Sequence, residues 1–115
     1  MARAPALPEG VVFAPDEMLL SVERWGRRGF TYWLTNRRLI VGEGRRRYRA
    51  VLVVPIEHLA AVRIEHESGC LWSADFFRVY ATGGPVFQEQ FTGRDGQRAR
   101  ALVSQLANLL AAQSS

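Results

Sequence analysis

The sequence predicts a mainly β domain: a bent antiparallel sheet or barrel of about seven strands, capped by one C-terminal α-helix. Three observations predict it. Apolar and polar residues alternate through most of the chain, in short runs separated by connections rich in Gly, Pro and Arg. One such run, "FTYWLTNRRLIV", changes parity in its middle. After residue 96 the apolar spacing changes from that of a strand to that of a helix.

Residues 1–16 are rich in Ala and Pro and read as an extended arm, with "GVVF" able to form a short strand. Residues 17–115 make up the domain. "MLLSVERW" alternates, which predicts Met18, Leu20 and Val22 inward and Ser21 and Glu23 outward. "GRRG" connects it to "FTYWLT", where Phe30, Tyr32 and Leu34 share one parity. Beyond Asn36 the apolar residues, Leu39 and Val41, sit on the other parity, which no regular strand allows. A tight turn at "TNRR" resets the parity, with Asn36 bonding its own backbone, and a hairpin results. A β-bulge is the alternative, because one extra residue also flips the alternation. Under the hairpin reading Leu34 and Leu39 are both buried and Arg37 is exposed.

"GEGRRR" forms the next loop and "YRAVLVV" the next strand, which Pro55 ends because proline cannot donate to a ladder. "PIEHL" reads as a bend or short helical turn. "AAVRIE" follows with Val62 and Ile64 inward, and "LWSADFFRVYAT" with Phe77, Val79 and Ala81 on one face. "GGP" marks a hairpin into "VFQEQF". There Glu89 shares the parity of Phe87 and Phe91, which calls for an open sheet end or an arginine partner. From Gln97 to Ala112, Ala99, Leu102, Val103, Leu106, Leu109 and Leu110 form one apolar helical stripe. Thr92 and Asp95 have capping-box spacing, and Asp95 alone would serve as an N-cap.

Composition bounds the function. With 115 residues, 48% hydrophobic and 23% charged, the chain has the makings of one globular domain. No apolar run approaches a membrane span and no secretory signal is visible, so a cytoplasmic protein is expected. Cys70 is the only cysteine, and His58 and His66 are the only histidines, too few for a structural zinc site. Neither metal nor cofactor is expected. The net charge is +4 and all 15 basic residues are arginine, a planar bidentate donor suited to carboxylate and phosphate. Glu57, His58, Glu65, His66 and Glu67 have neither metal-ligand nor triad spacing, and catalysis is not expected.

"YWLTNRRLIV", a basic loop, "VPIEHLAAVRIE", a Gly-Gly hairpin and a terminal helix resemble, in that order, a bacterial pleckstrin-homology domain. The "LTN-x-R-L" turn is also similar to that of the related GRAM domains. The resemblance spans residues 17–112. It implies a seven-stranded, two-sheet barrel capped by the helix, on a superfold that serves lipid binding, peptide binding and assembly alike. Phosphoinositide-binding members carry basic residues along the second strand, whereas residues 29–36 contain none.

Two binding functions follow as expectations for a non-enzymatic module. The first is protein interaction, most simply self-association, through an outward apolar face of Trp33, Ile40, Val51 and Val53, with Phe76 and Tyr80 on the same opposite parity. The alternative is attachment to anionic membrane lipids at the inner face through Arg27, Arg28, Arg45, Arg46, Arg47 and Arg49. That alternative requires both basic loops to lie at one end of the domain. Nucleic acid is disfavoured as a partner.

Overall fold

The computed structural model describes residues 6–114. Residues 1–5 of the expected arm lie outside them. Among the described residues there are seven strands and one α-helix: β1 (Leu19–Trp25), β2 (Phe30–Thr35), β3 (Arg38–Glu43), β4 (Arg49–Pro55), β5 (Leu59–Ser68), β6 (Ser73–Ala81), β7 (Gly84–Phe91) and α1 (Gly96–Ser114). They form two antiparallel sheets, β1-β2-β3-β4 and β5-β6-β7, which do not close into a barrel. The short helical turn expected at "PIEH" is a 3-10 turn at Ile56–His58, between the sheets.

The parity change resolves as a hairpin. Leu34 pairs with Leu39, both are fully buried, and Arg37 is exposed. The turn is made by Thr35 and not by the Asn36 side chain. The Thr35 hydroxyl oxygen accepts from the backbone N–H groups of Arg37 and Arg38, each at 3.0 Å. Asn36 instead braces the residues before β1: its Oδ1 accepts from Met18 N at 2.7 Å and its Nδ2 donates to Asp16 O at 3.3 Å.

The core lies between the sheets, with α1 packed mainly on β5. Ala99, Leu102 and Leu106 of its predicted stripe are buried. Trp25 is the aromatic centre: its ring stacks on Tyr32 at 4.3 Å and meets Phe77 edge-on at 5.0 Å. This inverts the expected parity of β1. Trp25 pairs with Phe30 and Glu23 with Tyr32, so they face inward, while Val22 pairs with Trp33 on the outer face. Leu20 has no partner, because a bulge there lets Leu19 and Ser21 pair with successive residues. Met18 and Leu20 are exposed.

The arm also departs from expectation. "GVVF" forms no strand, and the arm crosses the outer face of the first sheet. Glu9 N donates to Tyr48 O at 2.9 Å, and Arg38 Nη2 donates to Val12 O at 2.5 Å. Pro8 is buried against the backbone of Gly42, where an added Cβ would lie 2.9 Å from the Trp33 ring and 3.1 Å from Pro8. Glu17 locks the far end of the arm: its carboxylate takes both Nε and Nη2 of Arg38, at 2.8 and 2.9 Å, and the Thr35 hydroxyl at 2.6 Å.

Candidate anion-binding cleft

Topology decides which arginines meet. The β1–β2 connection, residues 26–29, turns through two glycines at positive φ, Gly26 at 96° and Gly29 at 69°. It is tied down at three points: Gly26 N donates to Asp95 Oδ2 at 3.2 Å, Arg27 N to Gln90 O at 3.0 Å and Arg28 N to Glu89 Oε1 at 2.7 Å. Those bonds use backbone groups, so the Arg28 guanidinium stays free to face solvent. They also change the reading of two acids. Asp95 holds this loop, and Thr92, the N-cap of the helical turn before α1, makes no side-chain cap bond. Glu89, 4% exposed, faces the core because the loop brings it an N–H group. Burial pushes its carboxyl above the ordinary range, against the pull of the Arg28 N–H and charge.

The β3–β4 connection approaches from the other side. Tyr48 turns inward, its ring edge-on to Trp33 at 5.1 Å, and Arg45, Arg46 and Arg47 are left in solvent. At the base of this loop Arg49 pairs with Glu43. The two connections line one open cleft of about 510 Å³, bounded by Arg24, Arg28, Glu43, Arg45 and Arg49 with Gly29 and Gly44 between them. Both basic loops therefore lie at the same end of the domain.

Of the arginines named from sequence, Arg28, Arg45 and Arg49 line the cleft, and Arg24 joins them. Arg46 and Arg47 are exposed on the loop beyond its lining. Arg27 borders a neighbouring depression with Phe76 and Gln90 and donates to Gln90 Oε1 at 3.4 Å. Among the described residues, Glu43 is the one acid lining the cleft, and it is engaged by Arg49. The guanidinium groups of Arg24, Arg28 and Arg45 form no salt bridge among the described residues, although Glu89 feels the Arg28 charge. Such guanidinium groups offer planar, bidentate donor pairs to a phosphate or carboxylate.

The expected exposure of Trp33 and Ile40 is corrected. Trp33 and Ile40 do lie on the outer side of the sheet, but both are 0% exposed, because the arm and Tyr48 cover that side. Val51 and Val53 remain exposed, at 39% and 41%. Alternation identified the face correctly and could not reveal its cover, since the arm has no periodicity of its own.

The remaining polar clusters are structural pairings. On the outer face of the second sheet, Arg78 donates to Glu65 at 3.0 Å, to Glu67 at 2.7 Å and to Gln88 at 3.1 Å. Tyr80 donates its hydroxyl to Glu65 at 2.5 Å, and this bond, with those from Arg78, holds the Glu65 carboxyl below the ordinary range. His66 faces Asp75 across the hairpin at 2.7 Å. Among the described residues no group of His, Cys, Asp and Glu could hold a metal ion, and no helix is long and apolar enough to cross a membrane. No family model, curated protein or solved structure matches this chain.

Proposed function

We propose that this chain is a non-enzymatic, pleckstrin-homology-like binding module that docks on anionic membrane lipids through its arginine cleft. One observation carries the reading: two connections distant in sequence converge, and Arg24, Arg28, Arg45 and Arg49 line a single open cleft. The four-plus-three strand arrangement with a C-terminal helix supports the family resemblance. Self-association through Trp33 is not part of this reading, since the chain covers that side chain itself. A basic patch beside a membrane draws about 1 kcal/mol from each arginine near the surface, and salt weakens the attraction.

Co-sedimentation with vesicles tests the proposal. The parent protein should bind phosphatidylglycerol-containing vesicles at low salt and leave pure phosphatidylcholine vesicles unbound. The double variant R28E/R45E should weaken binding by at least about thirtyfold, from about 1 kcal/mol for each lost arginine. R94E/R100E, which changes net charge equally at exposed positions elsewhere, should bind far better. Equal binding to neutral and anionic vesicles, or equal loss in both variants, would defeat the proposal.

A further inference from the structure

We infer that the ligand of the cleft is an anionic amphiphile, whose charged head lies among the arginines and whose apolar part lies in an adjoining groove. This rests on the anion-binding reading above and specifies the ligand class. The cleft is continuous with a second groove of about 460 Å³, because Arg28, Glu43 and Arg49 line both. Beyond these shared residues Phe30, Val51, Val86 and Phe87 form an apolar stretch of the lining, beside Gln88 and Glu89.

The groove exists because the two sheets do not join. On one side β4 carries an extra residue: Val41 pairs with Leu52 and Gly42 with Ala50, which leaves Val51 without a partner. On the other side β7, an edge strand, presents Val86. Phe30 and Phe87 pack edge-to-face at 5.5 Å between them. Val51 is 39% and Val86 46% exposed, an apolar pair left wet on either side of a channel that begins at cationic groups. Lone exposed valines carry little meaning, but here both line the same groove and the groove opens into the arginine cleft. A bare phosphate would use the arginines and leave the valines wet. An acyl chain attached to that phosphate would cover them, with a gain of about fourfold in affinity for each methylene fully buried.

Titration calorimetry with the full chain and three water-soluble probes tests this: glycerol 3-phosphate, dihexanoyl phosphatidic acid below its micelle concentration, and dihexanoyl phosphatidylcholine. Phosphatidic acid should bind at least tenfold more tightly than glycerol phosphate, and phosphatidylcholine should bind weakest. V51S/V86S, substitutions at exposed positions, should reduce phosphatidic acid to the affinity of glycerol phosphate and leave glycerol phosphate unchanged. In the parent protein, the methyl resonances of Val51 and Val86 should shift with phosphatidic acid and stay still with glycerol phosphate. Equal affinity for the two phosphates, or motionless valine methyls, overturns the amphiphile inference and leaves the anion site standing. Failure of both phosphates and of anionic vesicles removes the anion site itself. Sedimentation showing a dimer that V51S/V86S dissolves, or an acidic peptide that displaces phosphatidic acid and shifts the same methyls more strongly, would give the groove to a second copy or a protein and also overturn the inference.

Discussion

The two ends of the first sheet handle charge in opposite ways. At the β2–β3 turn, Arg38, Glu17 and Thr35 satisfy one another, Asn36 bonds the backbone of Asp16 and Met18, and Arg37 pairs with Asp16. At the other end, the guanidinium groups of Arg28 and Arg45 form no salt bridge among the described residues, and a buried Glu89 is held by the Arg28 N–H group. Beneath that end the Tyr32 hydroxyl and Trp25 indole N–H are buried with no hydrogen-bond partner among the described residues. A completed network fixes structure, whereas unpaired donors at a surface keep their binding capacity for something else. The difference separates arginines spent on folding from arginines available to a ligand.

The strongest way to break this contrast is at the completed end. Glu17→Gln leaves Arg38 with a neutral partner and should destabilise the protein by about 3 kcal/mol in urea unfolding, since its carboxylate is 1% exposed. Burial alone would raise the Glu17 pKa, but the bonds from Arg38, Thr35 and Ala14 N outweigh it and hold the group below its ordinary 4.5. The folded state therefore favours the charged form. This contribution is complete above the ordinary value and is lost as pH falls through the lower folded value. The variant should lose that part of the acid sensitivity; an unchanged urea midpoint would show that the network is decorative.

Gly26→Ala probes the anchoring of the open end. The new Cβ would sit at φ 96° and collide with the Glu89 carboxylate, at a cost of about 2 kcal/mol. Thermal melting at parental temperature would mean that the loop is not held as described. Glu89→Gln should move stability the other way, by about 1 kcal/mol at neutral pH, because it keeps an acceptor for Arg28 N and removes a buried charge. The sign follows from the raised pKa: the charged form is penalised above the folded value, and the penalty fades as pH falls toward 4.5. Acid thus weakens the turn end and relieves the open end. The smallest effect on stability belongs to R28E/R45E, within about 0.5 kcal/mol of the parent, although vesicle binding collapses. A large loss of stability there would place those arginines with Arg38 as structural.

The turn at Thr35 was legible in the sequence because a parity switch inside an aromatic and β-branched run has few physical solutions. The α1 stripe was legible for the same reason, from Ala99 to Leu110. The facing of β1 was not. Met18, Leu20 and Val22 alternate well, but the outer face is itself covered around Trp33, so apolar residues occur on both parities and alternation loses its sign. Trp25, the aromatic centre of the core, ends "MLLSVERW" on the parity opposite to Met18, Leu20 and Val22. Among the site residues, the basic loops were visible as composition. Their convergence, and the part played by Arg24, depend on pairing across four strands, which local sequence does not encode.

The arm's partners impose an order of events on synthesis. Residues 8–17 rest on residues 35–48, so the segment made early cannot dock until its platform follows. At about 5–20 residues per second, the forty or so residues between Pro8 and Tyr48 take roughly 2–8 s to appear. Trp33 and Ile40, made late in that interval, stay uncovered until Tyr48 and the arm close over that face. Residues 8–17 are made before their platform and find their place after it, closing over a surface that is sticky until they do.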